Sequence, residues 1–210
     1  MNSGLRQRKH DRVRADIMDA GMRLFVSRGF DATTVDEIAE AAEVSRRTLF
    51  RYFETKGAIV MAWTIGFTEF LVTTLRARPL GEPNLESLKQ IFLALVTHAT
   101  EVLPDVYAFG VMIERTPSLR YLSHQKHAEW EESLAAVLVE RRGDAGDNVV
   151  RMRLIARVGV AVFRTAIDEW LATEGQADYR SVVLQMFDLL EHSDDTQAVL
   201  SIEHRRTGTA

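Results

Sequence analysis

From Val13 to Leu190 the apolar residues of this chain recur three and four positions apart, and no segment alternates apolar with polar residues in the manner of a strand. A spacing near 3.6 gathers such residues on one helix face, whereas a half-buried strand needs a period of two. The expected fold is therefore all-α, with about nine helices. Val13, Ile17, Ala20, Gly21, Leu24 and Phe25 line a first helix that stops near Arg28-Gly29. Thr34 with Glu37 three residues on forms a capping box for a second, two-turn helix, and Ser45 caps a third carrying Leu49 and Phe53. Thr55 is expected to cap a long fourth helix from about Lys56 to Arg78, ended by Pro79, Gly81 and Pro83. Asn84 is expected to cap a fifth, Pro104 to open a sixth, and Pro117 to separate that from a seventh ending at Arg142. Gly143 to Asn148 reads as a loop, followed by two strongly apolar helices over 149–171 and 182–190.

These helices group into a small head over residues 1–56, a larger body over 57–192, and a flexible tail over 193–210. The formal charge of −4 is unevenly distributed, +2 over residues 1–56 and −6 over the remainder. The asymmetry is sharpest at the start, where Arg6, Arg8, Lys9, Arg12 and Arg14 face only Asp11. A basic arm on an acidic body is expected when one end meets phosphates. The chain has no cysteine, which excludes disulfides, thiolate catalysis and Cys-based zinc sites. No apolar run is expected to reach the ~18 residues of a membrane span, and the first ten residues lack a signal-peptide core. The expected location is a bacterial cytoplasm.

Between Thr33 and Phe53 the sequence TTVDEIAEAAEVSRRTLFRYF reads as two short helices around a tight turn. The second carries Arg46, Arg47 and Arg51, and a basic helix on a compact scaffold suits the DNA major groove. The wider stretch Ala15–Ile59 resembles the TetR/AcrR family of bacterial one-component repressors. The resemblance rests on Gly29-Phe30, Thr33-Thr34-Val35, Ile38-Ala39, Val44-Ser45, Leu49, Tyr52-Phe53 and Lys56 at these spacings. Four positions depart from it. Glu43 stands where glycine is usual and would need a positive φ or an adjusted turn. Phe50 stands for a common tyrosine, Arg51 for histidine, and Gly57 for an acidic residue.

Spacing and resemblance together imply that the helix after Ser45 enters the major groove. Arg46 and Arg47 are the expected base readers, since a guanidinium fork bonds guanine O6 and N7 together. Arg51 would read a base or grip a phosphate. Thr34, Thr48, Tyr52 and Lys56 are expected phosphate contacts that fix register, with Ser45 and Phe50 completing the surface. The resemblance further implies a homodimer on a near-palindromic duplex, its last two helices pairing with their copies through Ala156, Gly159, Val160, Phe163, Ile167, Trp170, Val183, Met186 and Leu190. It also implies an effector cavity in the body. Trp63, Phe67, Phe70, Phe92, Leu95, His98, Tyr107, Phe109, Met112 and Trp130 are its candidate lining, suited to a largely apolar small molecule. Such a ligand would displace the fourth helix and so the heads.

No catalytic reading competes. The sequence has no GxSxG, Gly-rich phosphate loop or HExxH. Neighbouring acids such as Glu131-Glu132 and Asp168-Glu169 diverge on a helix. His124, His127 and Glu131 could face one metal, with His98 the only distant His to join them, but they read better as a polar helix surface; no metal or cofactor is expected. The alternatives are a body that binds a protein partner or serves dimerisation only, and, less favoured, an all-α enzyme.

Overall fold

The computed structural model describes residues 3–142 and 148–192, and these are helical with short connections. In order they form α1 (Ser3–Arg28), α2 (Val35–Ala41), α3 (Arg46–Tyr52), α4 (Lys56–Met61), α5 (Phe67–Ala77), α6 (Asn84–Val102), α7 (Val106–Arg115), α8 (Pro117–Arg142), α9 (Asn148–Ala172) and α10 (Tyr179–His192). The expected loop at 143–147 and the tail at 193–210 lie outside the described residues.

The all-α expectation holds, with one subdivision. The long fourth helix is broken by a 3-10 turn at Ala62–Thr64. Thr64 Oγ1 donates 2.8 Å to the Met61 carbonyl, and Gly66, a poor helix former, follows. Taken as one stretch, 56–77 is long and apolar enough to cross a membrane, contrary to the expectation from the sequence. The break, with Ile59, Val60, Leu71 and Leu75 all buried, makes these core helices. Two start signals also shift. Asn84 lies inside α6, its amide 3.4 Å from Met152 Sδ, and Asp105 rather than Pro104 caps α7.

The chain folds as two compact units, Met1–Thr68 with Thr100–Glu129, and Glu69–Ala99 with Trp130–Ala210. A single cut after residue 56 does not describe it. In the first unit Ile17, Ala20, Phe25, Ile38, Leu49, Phe53 and Ile59 make a core shared by α1 to α4. Phe53 ends α3 in extended backbone, and Thr55 then caps α4 by accepting from the Ala58 amide at 3.0 Å. Gly57 explains its departure from the family pattern: a Cβ there would lie 2.9 Å from Leu122 Cδ1 and 3.6 Å from Leu119 Cδ2. The start of α8 is thus seated directly on α4, and an acidic side chain would separate them.

The second unit is built on an aromatic stack. Phe92 lies parallel to Phe163 at 4.5 Å and tilted to Phe187 at 6.3 Å, while Trp170 stacks on Tyr179 at 4.3 Å. Gly159 lets α9 approach α6, since a Cβ on it would meet Leu88 Cδ1 at 2.7 Å. The connection after α5 is held by Arg141, whose guanidinium donates to the carbonyls of Leu75, Arg78 and Pro79 at 2.6, 2.7 and 2.8 Å. Arg78 bonds Glu82, which accepts in turn from Ser87 Oγ at 2.6 Å.

Candidate nucleic-acid interface and effector body

Local chemistry builds the recognition helix. Thr34 closes a full capping box on α2: its amide donates to Glu37 Oε2 at 2.8 Å, and its Oγ1 accepts from the Glu37 amide at 3.2 Å. The Thr34 amide and hydroxyl, both donating to Glu37 Oε2, and then the guanidinium of Arg28 hold the Glu37 carboxyl below its ordinary range. The turn that follows places Glu43 at φ +53, so the left-handed conformation expected there is adopted by a residue with a Cβ. Ser45 caps α3 by accepting from the Thr48 amide at 3.1 Å, and its hydroxyl also bonds Thr48 Oγ1 at 2.9 Å. Leu49 is buried beneath the helix. Arg46, Arg47, Phe50 and Arg51 are exposed.

The three arginines have different surroundings. Arg46 Nη1 donates to Asp36 Oδ2 at 3.0 Å and Oδ1 at 3.2 Å, and its guanidinium lies 5.6 Å from the centre of the Phe50 ring. Arg47 has no ion-pair partner among the described residues. Arg51 lies over Tyr52 at 5.4 Å. Tyr52 is half-buried, and its other ring neighbour is His10 at 4.6 Å. Arg14 lies over Phe53 at 5.4 Å. The basic arm is thus the exposed first half of α1, docked on α3, and not an irregular segment.

Lys56 is corrected. Its ammonium donates to the carbonyls of Phe30 and Thr33, both at 2.8 Å, and lies 4.6 Å from the centre of the Phe30 ring. The charge ties down the α1–α2 connection, which leaves at most one N–H for a phosphate. His10 and Asp36 also lie against side chains of α3, contacts not anticipated from the sequence. Asp36 had one signal, an acid ten residues before an arginine across a tight turn.

Most of the residues expected to meet a second copy are likewise engaged within the chain. Ala156, Gly159, Val160, Phe163, Trp170 and Val183 are buried within the single chain. Phe163 stacks on Phe92, and Leu88 fills the space where a Cβ on Gly159 would stand, so these positions are occupied from within the chain. Ile167, Met186 and Leu190 are half-buried. The large apolar residues left outward are Val150 and Leu154 on α9, 70% and 61% exposed, and Leu184 and Leu189 on α10, 38% and 58% exposed. An open groove runs along Ser181, Leu184, Gln185, Asp188, Leu189 and His192.

The candidate cavity residues fall in both units. Phe92, Leu95 and Trp130 are buried in the second unit, with Phe92 and Trp130 both beside Phe163; these two are pillars of its core. Phe70 and His98 form a half-buried parallel pair at 4.3 Å. In the first unit Phe67, Phe109 and Met112 are buried and Tyr107 is half-buried. Trp63 is half-buried, but its Nε1 is buried with no hydrogen-bond partner among the described residues. No group of three or more His, Asp or Glu arranged for a metal occurs among the described residues.

The family model described as "Bacterial regulatory proteins, tetR family" matches residues 17–62, and that described as "MftR C-terminal domain" matches residues 82–194. TcmR of Streptomyces glaucescens, an HTH-type transcriptional regulator, is 34% identical over 173 residues, spanning 80% of this chain and 76% of TcmR. The chain belongs to the TetR family. As a member it is a DNA-binding transcriptional regulator and not an enzyme. Two solved structures share its fold. NalD of Pseudomonas aeruginosa, the secondary repressor of the MexAB-OprM multidrug efflux pump, aligns with a TM-score of 0.61 at 18% identity, covering 86% of this chain and 94% of NalD. FadR of Thermus thermophilus, a transcriptional repressor in complex with lauroyl-CoA, aligns with a TM-score of 0.57 at 23% identity, covering 86% and 94%.

Proposed function

We propose that this regulator is a cytoplasmic homodimeric repressor that leaves a near-palindromic operator when a small, largely apolar effector binds its body. Arg46 and Arg47 read base edges, Arg51 reads a base or a phosphate, and Thr34, Thr48 and Tyr52 contact the backbone. One recognition helix reads too little sequence to find a single genomic site. Two, spaced by ~34–36 Å in a dimer, read both halves of a palindrome. The exposed apolar residues Val150 and Leu154 on α9 and Leu184 and Leu189 on the neighbouring α10 support the dimer, because large apolar side chains left outward favour association.

The observation that carries the effector reading is the buried Trp63 N–H. An unsatisfied buried donor costs ~1–3 kcal/mol, and an effector carbonyl or carboxylate would remove that cost. The effector therefore carries a hydrogen-bond acceptor on an apolar frame. It releases DNA only through different affinities for the DNA-competent and released states. The lauroyl-CoA bound by the Thermus thermophilus protein makes acyl-CoA thioesters the first probe. The test is an operator obtained by selection from random duplexes, followed by titration with lauroyl-CoA in a mobility-shift assay. Release by the thioester, blunted several-fold in Trp63→Phe, is expected. Unchanged operator affinity with lauroyl-CoA shown to be bound would reject the reading.

A further inference from the structure

The salt bridge between Asp36 and Arg46 joins the second residue of α2 to the first residue of α3. One Arg46 nitrogen contacts both carboxylate oxygens, at 3.0 and 3.2 Å, and Phe50 flanks the guanidinium at 5.6 Å. Stability does not explain the pair. The two side chains are 65% and 62% exposed, and exposed ion pairs add little to folding. Asp36 is also unneeded for the α2 cap, which Thr34 and Glu37 complete between themselves. Arg46, for its part, is a cation in the first turn of a helix, where the peptide dipoles disfavour positive charge. Asp36 is the acid that offsets that charge.

We propose that Asp36 is the positioning residue that makes Arg46 a base reader instead of a general phosphate contact. It acts in two ways. First, it fixes one of the most rotamer-rich side chains before DNA arrives, so less freedom is lost on reading a base. The guanidinium keeps its other nitrogens for an acceptor pair on a base edge, and the Phe50 ring restricts its swing. Second, a carboxylate 3 Å from the guanidinium repels any phosphate that approaches the same cation. Arg46 is thereby denied the sequence-independent contact that an unaccompanied arginine makes readily. Specificity gained by obstructing the wrong partner is independent of added affinity for the right one. Arg47, which has no such acid beside it among the described residues, lacks this restraint. The two neighbouring arginines therefore differ: Arg46 contributes discrimination, and Arg47 contributes both discrimination and general affinity.

This inference rests on the reading of α3 as the base-reading helix, and the experiment separates the two. The full-length protein, Asp36→Asn, Arg46→Ala and the double variant are titrated against an operator panel with single base-pair changes and against random-sequence duplex, each over a range of salt. Asp36→Asn is expected to lower discrimination about three- to tenfold, at the base pairs that Arg46→Ala also relaxes and at no others. It is expected to tighten random-duplex binding and to steepen its salt dependence by up to about one phosphate's worth, a slope change near −0.9. In the Arg46→Ala background it is expected to change none of these. A uniform change across the panel, or additive effects in the double variant, would overturn the role of Asp36 while leaving base reading by α3 intact. An Arg46→Ala protein that keeps full discrimination at every position would overturn the base-reading assignment of Arg46 itself.

Discussion

Replacing Gly159 by alanine distinguishes packing inside the subunit from packing between copies. The new Cβ would lie 2.7 Å from Leu88 Cδ1, 3.3 Å from its Cβ and 3.4 Å from its Cγ. Leu88 is fully buried, so it cannot turn aside into solvent. Alanine in a helix interior gains ~0.5–1 kcal/mol over glycine, but overpacking costs ~1–3 kcal/mol, and the close Cβ and Cγ contacts place this site within that range. The net expectation is a loss of about 1–2 kcal/mol. Leu88→Ala alone should cost about 2–5 kcal/mol through its cavity. In the double variant the added methyl group enters the space that Leu88 vacates. The two losses should therefore fall short of additivity by about 1–2 kcal/mol. Urea unfolding at two protein concentrations measures this, because linked dimer dissociation would make the midpoint concentration-dependent. An unchanged urea midpoint for Gly159→Ala, together with weaker self-association by sedimentation, would refute the intrachain packing and return Gly159 to the dimer interface.

Glu43→Gly should stabilise the head by about 1 kcal/mol, because a residue with a Cβ is held at φ +53 and glycine is not strained there; thermal unfolding measures it, and a lower midpoint would contradict the strain. Lys56→Met should destabilise by about 2–4 kcal/mol through loss of two charged hydrogen bonds to carbonyls, whereas unaltered stability with weaker DNA binding would restore the phosphate role. Glu82 is held down to about 2 from an ordinary 4.5, chiefly by its bond to Arg78 and then by Ser87. A depressed folded value stabilises above the ordinary value, so that contribution should be present above pH 4.5 and fade as pH falls toward 2. Stability measured across that range should fall less steeply in Glu82→Gln than in the parent, and identical acid limbs would discount the pairing.

The head was legible because its signals are local. A capping box, a serine cap and buried residues four apart lie within a few residues of one another, and the structure reproduces each. The contacts that were not legible share a physical cause. Periodicity identifies the most apolar stripe of α9, and that stripe faces the chain's own core; Val150 and Leu154 stay exposed on another face. Lys56 at a helix start looks like an anion contact until the carbonyls of Phe30 and Thr33, more than twenty residues earlier, are brought beside it. The break at Ala62–Thr64 had only Thr64 and Gly66 to announce it, and both occur in unbroken helices.

The fork made by Arg141 bears on the order in which the chain can settle as it is synthesised. The bonds that set α2 to α4 have both partners at or before residue 58, so they can close while the body is still unmade. The carbonyl end of α5 instead waits for a guanidinium 63 residues beyond Arg78. At ~5–20 residues per second that interval is roughly 3–13 s, during which the carbonyls of Leu75, Arg78 and Pro79 lack their native donor. The caps of α2 to α4 can thus form early on the ribosome, whereas the end of α5 is tied down only from downstream.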